Sequence, residues 1–287
     1  MLLLHALTGG PDAADREGVK GWWAPVFHEG QPLEAARCTV WTPNLLGSCY
    51  GSTGPRDVMP FPDITTRDQA EVLAEWIRRE DLHFDVLLGA SLGGMVALEL
   101  ALLAPERFRR IGVVGAGARA DGWLWGTTEV QRAILESPSL PDAEAIALAR
   151  HAGMLTFRAP DSITGRFKDP EEIRSWLRHH GKALAARFER DTYRVFLGAM
   201  DSQDIGRDRG GLVKALKGLP GPLHVLGIDS DLLFAPSMIR ELADAAEAAG
   251  RLAELRWLHS PHGHDAFLIE FEPVNDWLRA LLQAASL

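Results

Sequence analysis

Short apolar runs bounded by turn residues recur along the chain and alternate with segments of helical periodicity. Each run has the length of one buried strand, and amphipathic or apolar segments at 66–80, 93–104 and 237–249 have the period of helices. This alternation predicts an α/β fold with a mostly parallel sheet covered by helices on both faces. The predicted strands are 2–4, 38–41, 86–88, 111–114, 223–226 and 255–258.

The alternation is interrupted between the fourth and fifth predicted strands. About a hundred residues intervene there, far more than one crossover helix requires. Helical patterns separated by Pro- and Gly-containing breaks fill the interval. We therefore predict a helical lid over 121–205, inserted into a core made of residues 1–120 and 206–287. The predicted lid helices are 128–136, 143–157, 170–180 and 182–200.

The segment Gly89-Ala90-Ser91-Leu92-Gly93 fits the pattern G-x-S-x-G. An apolar strand precedes it and an apolar helix follows, which is the context of a nucleophile elbow. Side chains at the flanking glycines would collide with neighbouring backbone in so tight a turn. We predict Ser91 as a nucleophile; the alternative is a structural turn whose serine only caps the helix.

A serine hydroxyl needs a general base, and the base needs an acid that orients it. The order serine, acid, histidine along the chain is the one used with this elbow. Asp229 and Asp231 follow the fifth predicted strand, and His259, His262 and His264 follow the sixth. The spacing alone does not choose among these five.

A metal site is one alternative for the last of these segments. His262, His264 and Asp265 are possible ligands, but no carboxylate-rich partner motif accompanies them. We therefore predict no metal.

A dinucleotide site is another alternative. Residues 115–120 read Gly-Ala-Gly-Ala-Arg-Ala after a predicted strand and resemble the fingerprint G-x-G-x-x-A. Asp121-Gly122-Trp123 is expected to interrupt the helix that the motif requires, and no strand ends in an acidic residue about 20 positions later. We interpret the segment as a turn leading into the lid.

Composition and charge narrow the classes of function. The chain has 46% apolar and 24% charged residues, as globular proteins do, and a net charge of -9. Without a basic tract, neither nucleic acid nor an anionic membrane is an expected partner, and an anionic substrate would need a local basic pocket. Two cysteines without metal spacing fit a reducing cytoplasm. We expect no targeting segment, and no apolar run approaches the roughly 20 residues that span a bilayer.

Several separate stretches match one known family in the same order. They are 5–9, 44–55, 61–68, 186–193, 199–204, 229–234 and 263–268, which include HALTG, NLLGSCYGSTGP and GHDAFL. On these motifs the chain resembles the homoserine O-acetyltransferase family of the α/β-hydrolase superfamily, nearly end to end. The resemblance implies an α/β-hydrolase fold with a helical lid.

The resemblance also implies roles for particular residues. Asp231 corresponds to the orienting acid and His264 to the base, and the backbone N–H groups of Leu7 and Leu92 correspond to the oxyanion hole. Arg150 matches the lid arginine that binds the acceptor's carboxylate. Asp265 would face the acceptor's ammonium group.

The chain departs from the family pattern at a few positions. Ala90 and Leu92 replace a glycine and a methionine beside the serine, which should not affect catalysis because only the backbone of residue 92 is needed. Phe157 replaces a tyrosine near the lid arginine, and Gly10 stands where an aspartate is common. Met1 falls where the family's third strand begins, so the sheet is expected to be N-terminally shortened, or the start was placed too late. An uncovered apolar edge would invite pairing with another chain.

The implied activity is transfer of an acetyl group from acetyl-CoA, as a co-substrate, to the hydroxyl of L-homoserine, as in methionine biosynthesis. A Ser-His-Asp mechanism of this kind is ping-pong, with no bound cofactor.

The family implies a homodimer formed through the lid. Trp123, Trp125 and Trp176 could line a narrow, dry entrance or form the lid core. Succinyl-CoA as donor, serine as acceptor, and a serine esterase remain alternatives.

Overall fold

The computed structural model describes residues 1–283 and contains one five-stranded sheet, in the order β1-β2-β3-β4-β5. All four neighbouring pairs are parallel. The inner strands are almost wholly buried, as strands covered on both faces must be. The strands are β1 (Leu2–Leu4), β2 (Phe84–Ala90), β3 (Phe108–Val114), β4 (Leu223–Ile228) and β5 (Leu252–Leu258). Five of the six predicted strands are confirmed.

The predicted strand at 38–41 is wrong. Only Trp41 pairs with β1: its carbonyl accepts from the N–H of Leu3 at 2.9 Å, and its N–H donates to the carbonyl of Met1 at 2.9 Å. Its indole is partly exposed and packs against Trp76 and Phe84. The segment forms one isolated bridge with β1 and no ladder. That bridge covers the outer edge of β1 at one position.

Helices cover both faces of the sheet, and the apolar side chains form a buried cluster on each face. Glu99 is the only charged residue of α2 and is buried, paired with Arg67 at 3.2 Å and Arg209 at 2.7 Å. The helices outside the β3–β4 interval are α1 (Thr66–Arg79), α2 (Leu92–Leu103), α9 (Pro236–Ala248) and α10 (Phe271–Gln283). No helix within residues 1–283 is long and apolar enough to cross a membrane.

The interval between β3 and β4 is helical, as the missing strand pattern predicts. It contains α3 (Gly122–Leu135), α4 (Asp142–Phe157), α5 (Pro160–Arg166), α6 (Pro170–Ala185), α7 (Arg190–Asp201) and the short α8 (Leu212–Leu216). The predicted core continues to residue 287, but residues 284–287 lie outside the part of the chain that the structure describes.

Several details of this interval differ from the prediction. The helix predicted over 182–200 is interrupted at 186–189, between α6 and α7, and α3 begins before the predicted residue 128. Asp121 starts α3 instead of interrupting a helix, because its carboxylate accepts from the N–H of Leu124 at 2.9 Å as an N-cap. The break predicted at Gly181 is absent, and α6 runs through it. A Cβ at Gly181 would lie 2.6 Å from Nε2 of His151 on α4 and 2.9 Å from the carbonyl of Ala147. This glycine therefore allows two helices to approach closely.

Candidate active site

Ser91 lies in the turn between β2 and α2, with φ of 54° and ψ of -125°, a conformation that only a tightly constrained turn imposes on a non-glycine residue. A Cβ at Gly89 would lie 2.1 Å from the carbonyl of Gly93, and a Cβ at Gly93 would lie 2.2 Å from the carbonyl of Leu4. Both glycines are therefore required by close backbone contacts. The Ser91 side chain does not cap α2, so the alternative role as a helix cap is wrong.

A continuous chain of hydrogen bonds joins Ser91 to a histidine and an aspartate. Oγ of Ser91 lies 2.9 Å from Nε2 of His264, and Nδ1 of His264 lies 2.7 Å from Oδ2 of Asp231. The other carboxylate oxygen of Asp231 accepts from the N–H groups of Leu233 and Phe234 at 2.8 and 2.9 Å. All three side chains are buried. In this geometry the histidine can accept the serine proton while the carboxylate fixes its orientation.

The other three candidates from the sequence have different partners. Asp229 pairs with His259 at 2.8 Å near the surface, and Nδ1 of His262 lies 2.8 Å from Oγ of Ser162 on α5. None of them bonds to Ser91. Of the two acids and three histidines that spacing left open, the structure brings only Asp231 and His264 to the serine.

Two opposed effects act on the pKa of His264. Burial alone would lower its pKa, but the charge and hydrogen bond of Asp231, assisted by the charge of Asp265, raise the pKa above its ordinary value of 6.5. Aromatic rings of Phe234 and Phe267 pack around the imidazole, with centroids 5.4 and 5.7 Å away. The ring is thus held in one orientation against Ser91.

Gly115, the first residue of the fingerprint-like segment, packs against the same histidine. A Cβ there would lie 3.3 Å from Cε1 of His264, tighter than an ordinary contact. This glycine therefore leaves room for the imidazole, which gives the segment a role in shaping the site.

A narrow cavity of about 60 Å³ opens above Ser91. The backbone N–H groups of Leu7 and Leu92 donate no hydrogen bond within residues 1–283. Leu7 lines this cavity, whereas Leu92, directly after Ser91, is buried and does not line it. The cavity is lined by Ala6, Leu7, Thr8, Ser91, Arg150, Phe157, Leu233, His264, Asp265, Phe267 and Leu268. Five of the residues named from the sequence thus share one small space with the serine: Leu7, Arg150, Phe157, His264 and Asp265.

Arg150 reaches this cavity from α4. Its guanidinium stacks 5.0 Å from the ring centroid of Phe157, and it forms no hydrogen bond or ion pair with any part of the chain that the structure describes. Burial lowers the pKa of the guanidinium. Because a desolvated guanidinium without an acceptor is costly, this group is poised for an anion.

Unlike Arg150, Asp265 already has an ion-pair partner in the chain. Arg158, at the C-terminal end of α4, donates from Nε to Oδ2 of Asp265 at 3.0 Å, and each side chain is only 15% exposed. Arg158 is not among the site residues that the sequence predicts. In the sequence, Arg158 is marked only by its charge, directly after the α4 segment that contains Arg150.

The tryptophans proposed for a dry entrance do not line this cavity. Trp176 on α6 is buried against Phe167 and His180, with centroids 5.4 and 4.7 Å away. Trp123 and Trp125 are about half exposed on α3, and their indole N–H groups donate to the carbonyls of Leu232 and Asp201. Of the three tryptophans, only Trp176 is therefore buried among the helices between β3 and β4.

No group of three or more His, Cys, Asp or Glu side chains within residues 1–283 is placed to hold a metal ion. Cys38 and Cys49 are both free thiols.

The parallel sheet, the inserted helices and the buried serine at the elbow define the α/β-hydrolase class. The family model described as the alpha/beta hydrolase fold matches residues 1–271.

Comparison with individual proteins identifies the family within this class. The chain is 39% identical to a homoserine O-acetyltransferase of Thermus thermophilus, covering 98% of this chain and 81% of that protein. It is 38% identical to one of Nostoc punctiforme, covering 96% and 83%. A crystal structure of a homoserine O-acetyltransferase from Staphylococcus aureus superposes with a TM-score of 0.86 at 26% identity, covering 99% of this chain and 85% of that one. The chain belongs to the homoserine O-acetyltransferase family. Esterase E22 superposes equally well, at 0.86, but at 18% identity this likeness concerns the fold alone.

Proposed function

We propose that the chain transfers an acetyl group from acetyl-CoA to the side-chain hydroxyl of L-homoserine. The observation that carries the proposal is the buried chain from Ser91 through His264 to Asp231, beneath the unpaired guanidinium of Arg150. A nucleophilic serine accounts for acyl transfer. A cation in the same cavity accounts for an acceptor that bears a carboxylate.

In the first half-reaction, His264 takes the proton of Ser91 while Oγ bonds to the thioester carbonyl carbon. The N–H groups of Leu7 and Leu92 stabilise the oxyanion of the tetrahedral intermediate. The carbon–sulfur bond then breaks, His264 returns the proton to the sulfur, and CoA leaves an acetyl-serine. In the second half-reaction, His264 takes the proton of the homoserine hydroxyl while its oxygen bonds to the acetyl carbon. The bond from that carbon to Oγ of Ser91 then breaks, and His264 returns the proton to Oγ.

The acceptor is held at both ends in this proposal. Arg150 binds its carboxylate, and Asp265 faces its ammonium group. Because Arg158 already pairs with Asp265, the ammonium would share that carboxylate and not bind it alone. Phe157 supplies an apolar wall where other members of the family have a hydroxyl.

The test is thiol release from acetyl-CoA with and without L-homoserine. Release that depends on homoserine and yields its O-acetyl ester supports the transferase. Release at the same rate without an acceptor would show that water deacylates the enzyme, which is the esterase alternative. Replacing acetyl-CoA by succinyl-CoA, or homoserine by serine, in the same assay separates the remaining donor and acceptor alternatives.

Replacing Arg150 with lysine is expected to raise the KM for L-homoserine about tenfold to a hundredfold, because the forked, planar contact with a carboxylate is lost. The kcat/KM for acetyl-CoA should stay close to that of the unmodified enzyme, since the first half-reaction involves no acceptor. Initial rates over a grid of both substrates measure the two quantities separately. A matching fall in the acetyl-CoA term would contradict an acceptor-specific role.

We also propose residues 121–205 as a lid that restricts water and carries the dimer contact. Trp123 and Val130 lie seven residues apart on α3, and Leu148 and Leu155 lie seven apart on α4, so each pair shares a helix face. The two helices pack against each other, and all four side chains are exposed. Exposed apolar faces of this kind are typical of subunit contacts.

The dimer is testable by light scattering, which should give twice the chain mass of 31.4 kDa. Val130→Glu is expected to shift the protein to the monomer, because Val130 is 57% exposed on this face. Val72→Glu is the matched control: Val72 is 46% exposed, but on α1 of the core. A monomer before mutation, or equal effects of both changes, would refute the lid contact.

A further inference from the structure

The end of α4 and the start of α5 lie against the loop at 262–265, which carries the histidine of the active site. Gly263 in this loop has φ of 67°, and a Cβ there would lie 2.5 Å from the backbone nitrogen of Ala159. Oγ of Ser162 lies 2.8 Å from Nδ1 of His262. The two segments therefore meet at close range, backbone against backbone, at a position where only a glycine fits.

Arg158 and Asp265 form the charged contact between these segments. Nε of Arg158 donates to Oδ2 of Asp265 at 3.0 Å, and both side chains are largely buried. Within residues 1–283, Oδ1 of the same carboxylate accepts no hydrogen bond. Asp265 lines the cavity above Ser91 and Arg158 does not, so the arginine holds the carboxylate from outside the cavity. One carboxylate oxygen is thus engaged, and the other is left for a ligand.

Arg158 is itself fixed by an aromatic ring. Its Cζ lies 6.0 Å from the ring centroid of Trp176, which is buried on α6. A guanidinium at this distance over the face of a tryptophan is attracted to it. In the part of the chain that the structure describes, Asp265 is the only carboxylate that pairs with Arg158. The arginine therefore approaches one carboxylate from one fixed direction.

The distance between the two acceptor contacts is the quantity that this arrangement controls. In the proposed reaction Arg150 binds the carboxylate of the acceptor and Asp265 faces its ammonium group, and both groups are attached to one carbon atom. Arg150 lies on α4 and Arg158 follows that helix directly, so one helix places both arginines. Loss of Arg158 would leave a mostly buried carboxylate without its partner, which is costly and favours a turn of that side chain toward water.

We propose that Arg158 is a positioning residue for the acceptor: it holds one oxygen of Asp265 so that the other meets the ammonium group while Arg150 binds the carboxylate. The inference rests on the proposed function, which supplies the acceptor. It adds a residue that acts through Asp265 and touches no reacting atom.

The test is a double-mutant cycle, with kcat/KM measured separately for L-homoserine and for acetyl-CoA. Arg158→Gln is expected to lower kcat/KM for homoserine about tenfold, because the carboxylate is no longer held in place. In an enzyme that already carries Asp265→Asn, the same change should cost no more than about twofold, since the group it acts through is gone. The value for acetyl-CoA should stay unchanged in all three variants, because the first half-reaction involves no acceptor.

Two further variants separate positioning from a general loss of structure. Arg158→Lys keeps a cation and should recover part of the loss for homoserine, but not all of it, because the planar group is absent. Arg166→Gln is the matched control. Arg166 is exposed on α5 with its Cζ 5.3 Å from the ring centroid of Phe167, and it pairs with no carboxylate among residues 1–283. This control should leave both values of kcat/KM unchanged.

Four results overturn the inference: no loss for homoserine in Arg158→Gln, an equal loss in both backgrounds, an equal loss in Arg166→Gln, or a gain, which would mean that the arginine competes with the ammonium. If Arg158→Gln also lowers the value for acetyl-CoA, Arg158→Lys replaces it in the cycle, and a fall in that value with lysine overturns the inference as well. All of these leave homoserine-dependent thiol release by the unmodified enzyme in place, so they reject the positioning role alone. Absence of that release rejects the proposed function, and this inference with it.

Discussion

Replacing Ser91 with alanine is expected to lower kcat for acetyl transfer by about 10⁴-fold to 10⁶-fold, the loss typical when a nucleophilic serine is removed. No other hydroxyl bonds to His264 within residues 1–283. The change keeps the Cβ and removes only Oγ, so the elbow between β2 and α2 should fold unchanged. Thiol release from acetyl-CoA measures the rate, and mass spectrometry of the stopped reaction measures the acetyl-enzyme, which should be absent.

Ser237→Ala is the control for this change, because Ser237 is an exposed serine on α9. It should retain the full rate and the acetylated intermediate. An acetyl-enzyme that still forms in Ser91→Ala at the unmodified rate would locate the nucleophile elsewhere and reject the proposed mechanism.

The elbow could be predicted from the sequence because its geometry is set locally. The strand, the turn and the helix are contiguous, and Gly89 and Gly93 are needed for contacts made within the turn or with the adjacent strand β1. The five confirmed strands are likewise local patterns of apolar residues. The strand predicted at 38–41 is wrong because pairing depends on a neighbour that the local pattern does not contain.

The choice of acid and base could not be made from spacing. Asp229 and Asp231 are two residues apart, and which one meets His264 depends on how two distant loops fold toward each other across 33 residues of chain. The family resemblance points to Asp231 and His264, which are the pair that the structure brings to Ser91. The pair formed by Arg158 and Asp265 spans 107 residues and has no local signature, so only the folded chain reveals it.

Gly181 illustrates the opposite error. A glycine within a helical pattern predicts a break, but Gly181 lies inside α6, where that helix meets His151 and Ala147 of α4. The sequence shows the glycine, but not that α4 packs closely against it.

Replacing Asp231 with asparagine is expected to lower kcat by about 10⁴-fold, because the carboxylate no longer holds His264 in the productive tautomer or stabilises its protonated form. It should also move the acid limb of kcat/KM for acetyl-CoA. In the unmodified enzyme His264 must be neutral to accept the Ser91 proton, so activity falls as the pH drops through a pKa that lies above 6.5. Without the charge of Asp231, burial dominates and lowers that pKa, so the acid limb should shift to lower pH.

Asp229→Asn is the matched control for this experiment, since Asp229 is two residues away in the same loop but pairs with the exposed His259. It should change neither the rate nor the acid limb. A loss of rate without a shift of the acid limb in Asp231→Asn would mean that the carboxylate supports the fold of the loop and not the histidine. A shift in Asp229→Asn instead would mean that the exposed pair controls the base. The rate and the pH profile together therefore decide which carboxylate orients the histidine, since either measurement alone fits more than one cause.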